Sequence, residues 1–414
     1  MSFSLRNSAR IWLKASGRKL LYQFSKLSPR SANKAVFGSY KETFSDNSKC
    51  LYKHWQQQNV IRCIWISANR ELIQQLNDNQ QEAYYRWSMK GIYHALTAKY
   101  YFYNSYIGDI NQWLAGGATK VNLWHGTPMK KIEFDIDNGP MAKVFHPQGI
   151  LAAIKQSMLA HQQRIKPDLM LSASPLVDTL FSSAFRLEAS QLLCCGNPRT
   201  DYYRSQLPSQ ITLPKPFSEE QKVKEHLAAN EYQQVILYAP SWRDSFQGDN
   251  PYQEAFDWPA LSQHLQQHHQ LLLLRLHPNE AALAEQFSHF ANIINITTME
   301  DVYGLLDSID LLVTDYSSLF IDVLPLNIPV SFYRFDKTHY QQNCRNMYDY
   351  VNSIAEIGPE CLTFKTLLAQ LQPESMSKQR NKYQSEYSTM STMYWGQSPA
   401  SSFKALESWI KKHG

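Results

Sequence analysis

Several signatures that would place the chain in a well-known class are missing from its sequence. No run approaches the ~20 apolar residues that a membrane-spanning helix needs, and the N-terminus has no apolar signal-peptide core. There is no GxGxxG loop, no GK[ST] loop and no pair of carboxylates at glycosidase-like positions. The sequence therefore predicts neither a transmembrane protein nor a P-loop or dinucleotide-binding enzyme.

Cysteine is scarce and is not arranged for metal binding. None of the six cysteines forms a CxxC pair or shows the spacing of a zinc site. This usage fits buried thiols in a reducing compartment. The sequence therefore predicts no protein-bound metal, and Mg²⁺ carried by a substrate stays open as an alternative.

Acidic residues are missing from the first 41 positions, which contain nine Lys or Arg residues. The rest of the chain has 32 basic and 36 acidic residues, a net charge of −4. A near-neutral body with one basic N-terminal arm does not have the charge distribution of a generally basic protein that coats nucleic acid, so this class is excluded.

This arm, residues 1–30, has the pattern of an amphipathic helix. Its apolar residues fall on one side of a helical wheel and its cations mostly on the other, which is typical of a segment that lies in the headgroup layer of an anionic membrane. The alternative is a helix packed on the body with a solvated basic face. The apolar residues concerned are Leu5, Trp12, Leu13, Leu20, Phe24 and Leu27.

Strand-like and helix-like segments alternate from Ala35 onward, which predicts parallel sheets covered on both faces. A chain of 414 residues is too long for one core, and the polar, proline-bearing residues 205–232 suggest a boundary. We therefore predict two Rossmann-like α/β domains facing a cleft, at 31–205 and 206–395, with a final helix at 396–414 that could cross back to the first domain. The predicted strands are 35–40, 61–67, 100–106, 120–126, 169–174, 191–198, 235–241, 271–278, 292–297, 310–317 and 330–335.

The stretch from Ile309 to Asp336 carries the clearest candidate for a binding site. A short apolar strand ends at Asp315, Tyr316, Ser317 and Ser318 and leads directly into a helical segment. The first N–H groups of a helix have no partner inside it, and the macrodipole favours an anion there. The pattern predicts a phosphate site, and the alternative is that the two serines only cap a helix.

Two other strand ends in the second half carry polar groups. Arg275 and His277 alternate along a predicted strand, which would aim both cationic donors at one space and suit a phosphate. Ser241 and Arg243 follow another strand, in the sequence YAPSWRD. Since ligands bind beyond the carboxyl ends of parallel strands, these residues are predicted to share a site.

A histidine ends a strand of the first half, in the sequence WHGTPMKK. His125, followed by Gly126 and a Thr-Pro turn, would present its imidazole at a loop mouth and can act as a base on a hydroxyl. Lys130 and Lys131 could hold an anionic acceptor. The alternative is a purely structural turn.

Six motifs resemble, in their order along the chain, those of the CDP-glycerol:poly(glycerophosphate) glycerophosphotransferase family. That family includes teichoic acid primases and polymerases and related capsule polymerases. The likeness runs from about Ala35 to the C-terminus, and the stretch FGSYKETFSDNSKCLYKHW resembles the entry to the first domain. The tail and the loop after HGTP depart from the usual family pattern, which leaves the acceptor and the polyol open. The motifs are HGTPMKK, CGNPRTD, LYAPSWRD, RLHP, the block from Val302 to Asp336 and the tail NKYQSEY–YWG.

The resemblance implies a two-domain fold of the glycosyltransferase-B type and a role for particular residues. His125 matches the histidine thought to act as base, and His277 the one that contacts the donor pyrophosphate. Ser317 and Ser318 match phosphate-binding hydroxyls, and Asp322 a donor-site carboxylate. The motifs add Pro278 and Asp315 to the donor side, and Gly126 and Thr127 to the acceptor side. Several members of the family are monotopic membrane proteins.

The expected reaction is transfer of a polyol phosphate from a CDP-polyol, CDP-glycerol first and CDP-ribitol second, with release of CMP. The expected acceptor is a polyol phosphate, a glycan or a lipid-linked hydroxyl in the synthesis of teichoic-acid-like or capsular polymers. The expected location is the cytoplasmic face of the bacterial membrane, as a peripheral protein. The alternatives are a nucleotide-sugar glycosyltransferase of the same fold and a non-catalytic protein of polymer assembly.

Overall fold

The computed structural model describes residues 17–204, 218–243, 250–343, 346–354, 356–396 and 401–413. The chain divides into two compact units, the first comprising residues 1–125, 131–202 and 397–414, the second residues 126–130 and 203–396. The predicted boundary at 205–206 lies outside the described residues, as do residues 1–16 of the predicted membrane segment.

The first unit is built on a seven-stranded, wholly parallel sheet. Its central strands are nearly all apolar because helices cover both faces, as parallel sheets require. The order across the sheet is β3-β2-β1-β4-β5-β6-β7. The strands are β1 (Ser31–Phe37), β2 (Arg62–Ser67), β3 (Ala83–Tyr85), β4 (Ala98–Tyr103), β5 (Thr119–Asn122), β6 (Leu169–Ser172) and β7 (Leu192–Cys194).

Helices join most successive strands of this unit, although β4 leads to β5 without an α-helix, and α1 and α18 lie at the two ends. Helix α18 packs against the first unit, where Phe403 stacks on His54 with ring centroids 4.0 Å apart and Lys99 Nζ donates to the carbonyl of His413 at 2.7 Å. The helices are α1 (residues 17–25), α2 (Asp46–Gln58), α3 (Arg70–Asp78), α4 (Met89–Thr97), α5 (Gly139–Phe145), α6 (Ile150–Leu159), α7 (Pro175–Phe185), α8 (Pro198–Arg204) and α18 (Ser402–His413).

The second unit repeats the plan with a six-stranded parallel sheet in the order β10-β9-β8-β11-β12-β13. Its strands are β8 (Gln234–Tyr238), β9 (Gln270–Leu274), β10 (Ile293–Asn295), β11 (Leu311–Thr314), β12 (Val330–Tyr333) and β13 (Glu360–Cys361). Its helices are α9 (Ser218–Ala229), α10 (Pro251–Ala255), α11 (Trp258–Gln267), α12 (Ala281–Glu285), α13 (Leu319–Val323), α14 (Lys337–Asn343), α15 (Phe364–Gln370), α16 (Pro373–Lys382) and α17 (Gln384–Trp395).

The predicted fold class, two parallel α/β domains, is confirmed. Every predicted strand overlaps an observed one, and the two short strands β3 and β13 were missed. Most predicted strands were drawn too long at their carboxyl ends. Beyond each strand the chain continues with polar and aromatic loop residues that look strand-like in sequence, although the ladder of backbone hydrogen bonds has already ended.

Helix α1 is packed on the body through its polar groups. Ser25 is buried, and its hydroxyl accepts a hydrogen bond from the Gly116 amide at 2.9 Å. The Arg30 guanidinium, just after the helix, donates to five backbone carbonyls: those of Ser25, Ala95, Ala98, Leu114 and Gly116. Residues 17–30 are therefore packed on the body, while Leu20, Phe24 and Leu27 stay exposed, and membrane contact of this segment stays a prediction. Among the described residues, no helix is both long enough and apolar enough to cross a membrane.

Candidate active site

Four neighbouring strands of the second unit, in the order β9-β8-β11-β12, end at one edge of the sheet. Because all four are parallel, the loops after them gather at that edge. These loops contain the predicted donor-binding residues, at 275–278, 241–243 and 315–318, and also a segment at 334–336 that was not predicted.

Arg243 holds three of these loops together. Its Nη2 lies 2.8 Å from Asp315 Oδ2, and its Nε lies 2.8 Å from Asp336 Oδ2. The side chains of Arg243 and Asp315 are 2% and 0% exposed. Burial alone would lower the pKa of Arg243, but the adjacent Asp315 and Asp336 carboxylates raise it, so the guanidinium is firmly charged.

The predicted donor-binding role of Arg243, Asp315 and Ser241 stays a prediction, and their contacts show a positioning role. Asp315 Oδ1 accepts a hydrogen bond from the Ser241 amide at 2.7 Å, which fixes the loop after β8 against the loop after β11. Asp336, which the sequence did not single out, completes the arrangement.

Ser317 and Ser318 differ in what their hydroxyls do. Ser317 Oγ accepts from the Leu319 amide at 3.3 Å. Ser318 occupies the N-cap position of α13 without a capping bond from its side chain, and it is half-buried. Helix α13 has only five residues, so its macrodipole is smaller than that of a longer helix. The prediction of a phosphate site therefore depends on the serine hydroxyls and the backbone amides.

The prediction that Arg275 and His277 are aimed at one space by strand alternation is wrong. Strand β9 ends at Leu274, so strand alternation does not extend to either residue. Arg275 Nη1 donates to the carbonyls of Ile296 and Met299, at 3.3 and 2.7 Å. Burial lowers the pKa of Arg275, although Asp301 opposes this shift.

His277 instead stacks on Trp242, with ring centroids 4.7 Å apart and an interplanar angle of 15°. Its Nδ1 accepts a hydrogen bond from the Asn279 amide at 3.2 Å. The neutral ring therefore carries its proton on Nε2, which is a hydrogen-bond donor. Pro278, which follows, is exposed and opens a short 3-10 turn.

Asp322 lies on the buried face of α13 and is 7% exposed. Its Oδ2 accepts from the Tyr303 hydroxyl at 3.1 Å. A donor-side role for this carboxylate, implied by the family resemblance, stays a prediction.

His125 of the first unit lies beyond the end of β5, beside the ends of β1 and β4. Its Nδ1 is 2.9 Å from the carbonyl oxygen of Asn104. A carbonyl can only accept, so Nδ1 carries the proton of the neutral ring, and Nε2 is the ring nitrogen with a lone pair that can accept a proton. The side chain is exposed to solvent. This is the tautomer that a general base at Nε2 requires.

A buried clamp that the sequence analysis did not assign supports the backbone beneath His125. Arg199 is 1% exposed; its Nη1 donates to the His125 carbonyl at 2.9 Å and lies 2.6 Å from Asp46 Oδ1. Asn47 Nδ2 donates to the Trp124 carbonyl at 2.8 Å. Trp124 itself has a φ of 52°, a backbone geometry that costs energy in a bulky residue and needs such support. The signal was present in the motifs CGNPRTD and SDNSK, which contain these residues.

Asn104, whose carbonyl orients the His125 ring, is itself fixed by hydrogen bonds. Its amide and that of Ser105 donate to Asp109 Oδ2, at 3.1 and 2.8 Å. Its side-chain Nδ2 donates to Ser39 Oγ at 2.9 Å. Burial raises the pKa of Asp109 to about 6, although hydrogen bonds from Ser105 oppose the shift.

Glu133 is a second buried carboxyl group of the first unit. It is 5% exposed and lies 2.5 Å from the Tyr106 hydroxyl, which donates to it. Burial raises the pKa of Glu133 to about 7, and the Tyr106 hydrogen bond lowers it by less. No sequence motif pointed to this pair.

The segment after His125 divides between the units. Gly126–Lys130 belongs to the second unit, where Lys130 forms an antiparallel bridge with Met347 and its Nζ lies 5.2 Å from the centroid of the Tyr340 ring. Thr127 is buried. Lys131, in the first unit, lies 2.6 Å from Asp137. An acceptor-binding role for Gly126, Thr127 and the two lysines stays a prediction.

Within the ranges that the structure describes, no group of three or more His, Cys, Asp or Glu side chains is arranged to hold a metal ion. The positive charges near the candidate sites come from arginine and lysine.

Two curated relatives resemble this chain over most of its length. A teichoic acid poly(glycerol phosphate) polymerase of Bacillus spizizenii is 28% identical over 379 residues, which is 89% of each chain. A teichoic acid glycerol-phosphate transferase of Staphylococcus aureus is 29% identical over 337 residues, 79% of this chain and 81% of the relative.

A solved structure of the wall teichoic acid polymerase TagF, soaked with CDPG, has a similar fold. It matches with a TM-score of 0.74 at 22% identity and covers 99% of this chain and 96% of its own. The family model described as CDP-Glycerol:Poly(glycerophosphate) glycerophosphotransferase matches residues 20–401. The chain belongs to this family of transferases, as its motifs indicated.

Proposed function

We propose that this enzyme transfers glycerol phosphate from CDP-glycerol to a hydroxyl of a polymeric or lipid-linked acceptor and releases CMP. Family membership and the glycerol-phosphate activities named for its relatives support the donor and the reaction. The observation that carries the mechanism is the hydrogen bond from His125 Nδ1 to Asn104, which leaves Nε2 as the proton acceptor.

The first unit supplies the base. His125 Nε2 takes the proton of the acceptor hydroxyl, and the oxygen attacks the β-phosphorus of the donor. The bond from that phosphorus to the bridging oxygen breaks, and CMP leaves with the electron pair. A base fixed in one tautomer avoids reorientation at the moment of reaction.

The second unit binds the donor. Ser317 and Ser318 supply hydroxyls to the phosphates, and the Nε2–H of His277 donates to a phosphate oxygen. The positive charge of Arg275 lies at the same sheet edge and offsets the charge of the pyrophosphate. Fixed donors and charges of this kind supply most of the stabilisation in phosphoryl transfer. We expect Mg²⁺ to arrive with the donor, because Asp315 and Asp336 are engaged with Arg243, and Asp322 accepts from Tyr303.

A donor screen tests the proposal. Purified protein is incubated with CDP-glycerol, CDP-ribitol and a UDP-sugar, each with a glycerol-phosphate oligomer, with and without Mg²⁺, and products are identified by mass spectrometry. We expect CMP release and extension of the oligomer by one glycerol phosphate. Ribitol is included because a ribitol-phosphate primase of Bacillus spizizenii is 26% identical over 328 residues. Extension from CDP-ribitol alone, or from the UDP-sugar, would overturn the proposal.

We also propose that one face of the first unit binds an anionic membrane on its cytoplasmic side. Helix α6 has no buried residue, and Ile150, Leu151 and Ile154 are 80%, 84% and 48% exposed. Phe24 and Leu27, at the end of α1, are 67% and 81% exposed. An apolar surface of this kind marks an interaction site.

The two elements of this face are adjacent and carry cations. Lys19 Nζ of α1 lies 3.5 Å from Ser157 Oγ of α6. Lys26 and Lys155 are exposed beside the apolar side chains. The combination of exposed apolar groups with lysines matches an anionic lipid surface. Helix α6 did not figure in the sequence prediction of a membrane segment.

Flotation with liposomes containing anionic lipid tests this face. The variant Phe24→Ser/Leu27→Ser/Ile150→Ser/Leu151→Ser should lose flotation, while the control Met89→Ser/Leu362→Ser, which also removes exposed apolar groups, should keep it. Equal flotation of both variants would contradict the assignment.

A further inference from the structure

We propose that Lys41, with Tyr40, binds a phosphate of the acceptor chain beside the catalytic base. The inference deepens the proposed function and rests on it for the identity of the acceptor. Lys41 would add a first-unit cation to the predicted acceptor lysines, of which Lys130 belongs to the second unit and Lys131 is paired with Asp137.

The turn that carries Lys41 is joined to His125 by two hydrogen bonds. The His125 ring donates to the Asn104 carbonyl, and the Asn104 side chain donates to Ser39 Oγ, each at 2.9 Å. Ser39 directly precedes Tyr40. Gly38, the residue before Ser39, lets the backbone of the turn lie close to Asp109, because a Cβ at position 38 would be 2.5 Å from the Asp109 carbonyl oxygen.

The backbone of this turn is strained and held in place. Lys41 and Glu42 have φ values of 54° and 61°, in the left-handed region that non-glycine residues avoid. Glu42 is fixed by the Arg86 guanidinium at 2.5 Å, by the Ala68 amide at 2.6 Å and by Ser67 Oγ at 2.9 Å. Such conformations persist where the surroundings enforce them, and they cluster at binding and catalytic sites.

The held turn presents its two side chains to solvent. Tyr40 is 56% exposed, and Lys41, also exposed, places its Nζ 5.6 Å from the centroid of the Tyr40 ring. By contrast, Arg86 and Arg199 of the same unit are engaged with Glu42 and Asp46. A cation on an aromatic ring, at the mouth of a site that activates a hydroxyl, suits the phosphodiester anion next to the hydroxyl that attacks.

Lys90 supplies a matched control. It is also exposed, and its Nζ lies 5.7 Å from the centroid of the Tyr84 ring. Its helix, α4, follows β3 at the far edge of the sheet from β5. Lys90→Ala therefore removes the same charge and the same kind of ring contact away from His125.

The test measures transfer from CDP-glycerol to a glycerol-phosphate oligomer and to free glycerol, which has no phosphate. Lys41→Ala should raise KM for the oligomer about tenfold, the order expected for one charge-assisted hydrogen bond. Its KM for CDP-glycerol and its rate with glycerol should match the unchanged enzyme. Lys41→Arg should recover most of the loss, and Lys90→Ala should show none.

An unchanged KM for the oligomer in Lys41→Ala, an equal loss in Lys90→Ala, or an equal loss with glycerol would each overturn the inference. A calorimetric measurement of oligomer binding without donor separates the inference about Lys41 from the proposed function. If the unchanged enzyme binds the oligomer but transfers nothing from CDP-glycerol, the proposed function fails, and loss of binding in Lys41→Ala would still support the inference.

Discussion

The two histidines at the sheet edges look alike in sequence and differ in the structure. Each follows a strand and precedes a turn with proline, in HGTP and in HP. Yet Nδ1 of His125 donates to a carbonyl, while Nδ1 of His277 accepts from an amide. The neutral rings are therefore opposite tautomers: Nε2 is a proton acceptor in His125 and a proton donor in His277. The proposed base and the proposed anion-binding donor therefore differ in one backbone partner each.

Substitution of His125 gives the largest expected effect. His125→Ala should slow turnover by about 10²–10⁴-fold, because the proton acceptor is gone. His125→Gln should be equally slow, since an amide cannot act as the base. Calorimetry with CDP-glycerol should show unchanged affinity for both variants. Normal single-turnover chemistry per folded molecule, with a lower melting temperature, would mean that His125 is only a turn residue.

The buried arginines of the two edges should differ in their effect on stability. Arg243→Ala leaves Asp315 and Asp336, with side chains 0% and 8% exposed, without their cation, and should lower the free energy of unfolding by about 3–5 kcal/mol. Arg199→Ala should cost less, because the Asp46 side chain is 16% exposed. Urea denaturation measures both.

A compensated variant checks the cause of that difference. Arg243→Met with Asp315→Asn and Asp336→Asn removes the buried charges together and should recover part of the lost stability. If Arg199→Ala proved the more destabilising change, the comparison of the two clamps would be wrong.

His277 should respond differently from His125 to the same pair of substitutions. His277→Ala removes one donor to a phosphate and should slow transfer by about 10²–10³-fold. His277→Gln keeps a side-chain N–H and should be faster than the alanine variant, whereas glutamine gives no such recovery at position 125. Equal rates for the two His277 variants would contradict the donor assignment. Single-turnover rates at saturating CDP-glycerol provide the measurement.

The smallest effect concerns the pH dependence of stability. The pKa of Glu133 is raised to about 7 in the folded chain. The unfolded chain therefore releases this proton first as pH rises, so the contribution of Glu133 to stability is full below its unfolded pKa and is lost as pH rises through about 7. Glu133→Gln should gain melting temperature relative to the unchanged protein between pH 5 and pH 8. A pH-independent difference between the two melting curves would count against a raised pKa.

The sequence alone was sufficient to predict the fold class, and it placed the proposed site residues at the carboxyl edges of the two sheets. Apolar runs such as LLLL and LLVT form strands in any arrangement that buries both of their faces, and parallel strands bring their carboxyl ends together. Motif resemblance indicated the family, and it also singled out His125 and His277 as candidates, whose roles stay predictions.

Only the tertiary structure decided which partner each polar side chain contacts. The tautomer of His125 depends on the Asn104 carbonyl, 21 positions away in the chain, and the clamp beneath it depends on Arg199, 153 positions from Asp46. The ion pair of Arg243 with Asp336, 93 positions away, and the ring contact of Lys41 with Tyr40 were likewise visible only in the folded chain. Hydrogen bonds and ion pairs are short-range and directional, so residue type and spacing cannot determine which partner a polar group finds once the chain has folded.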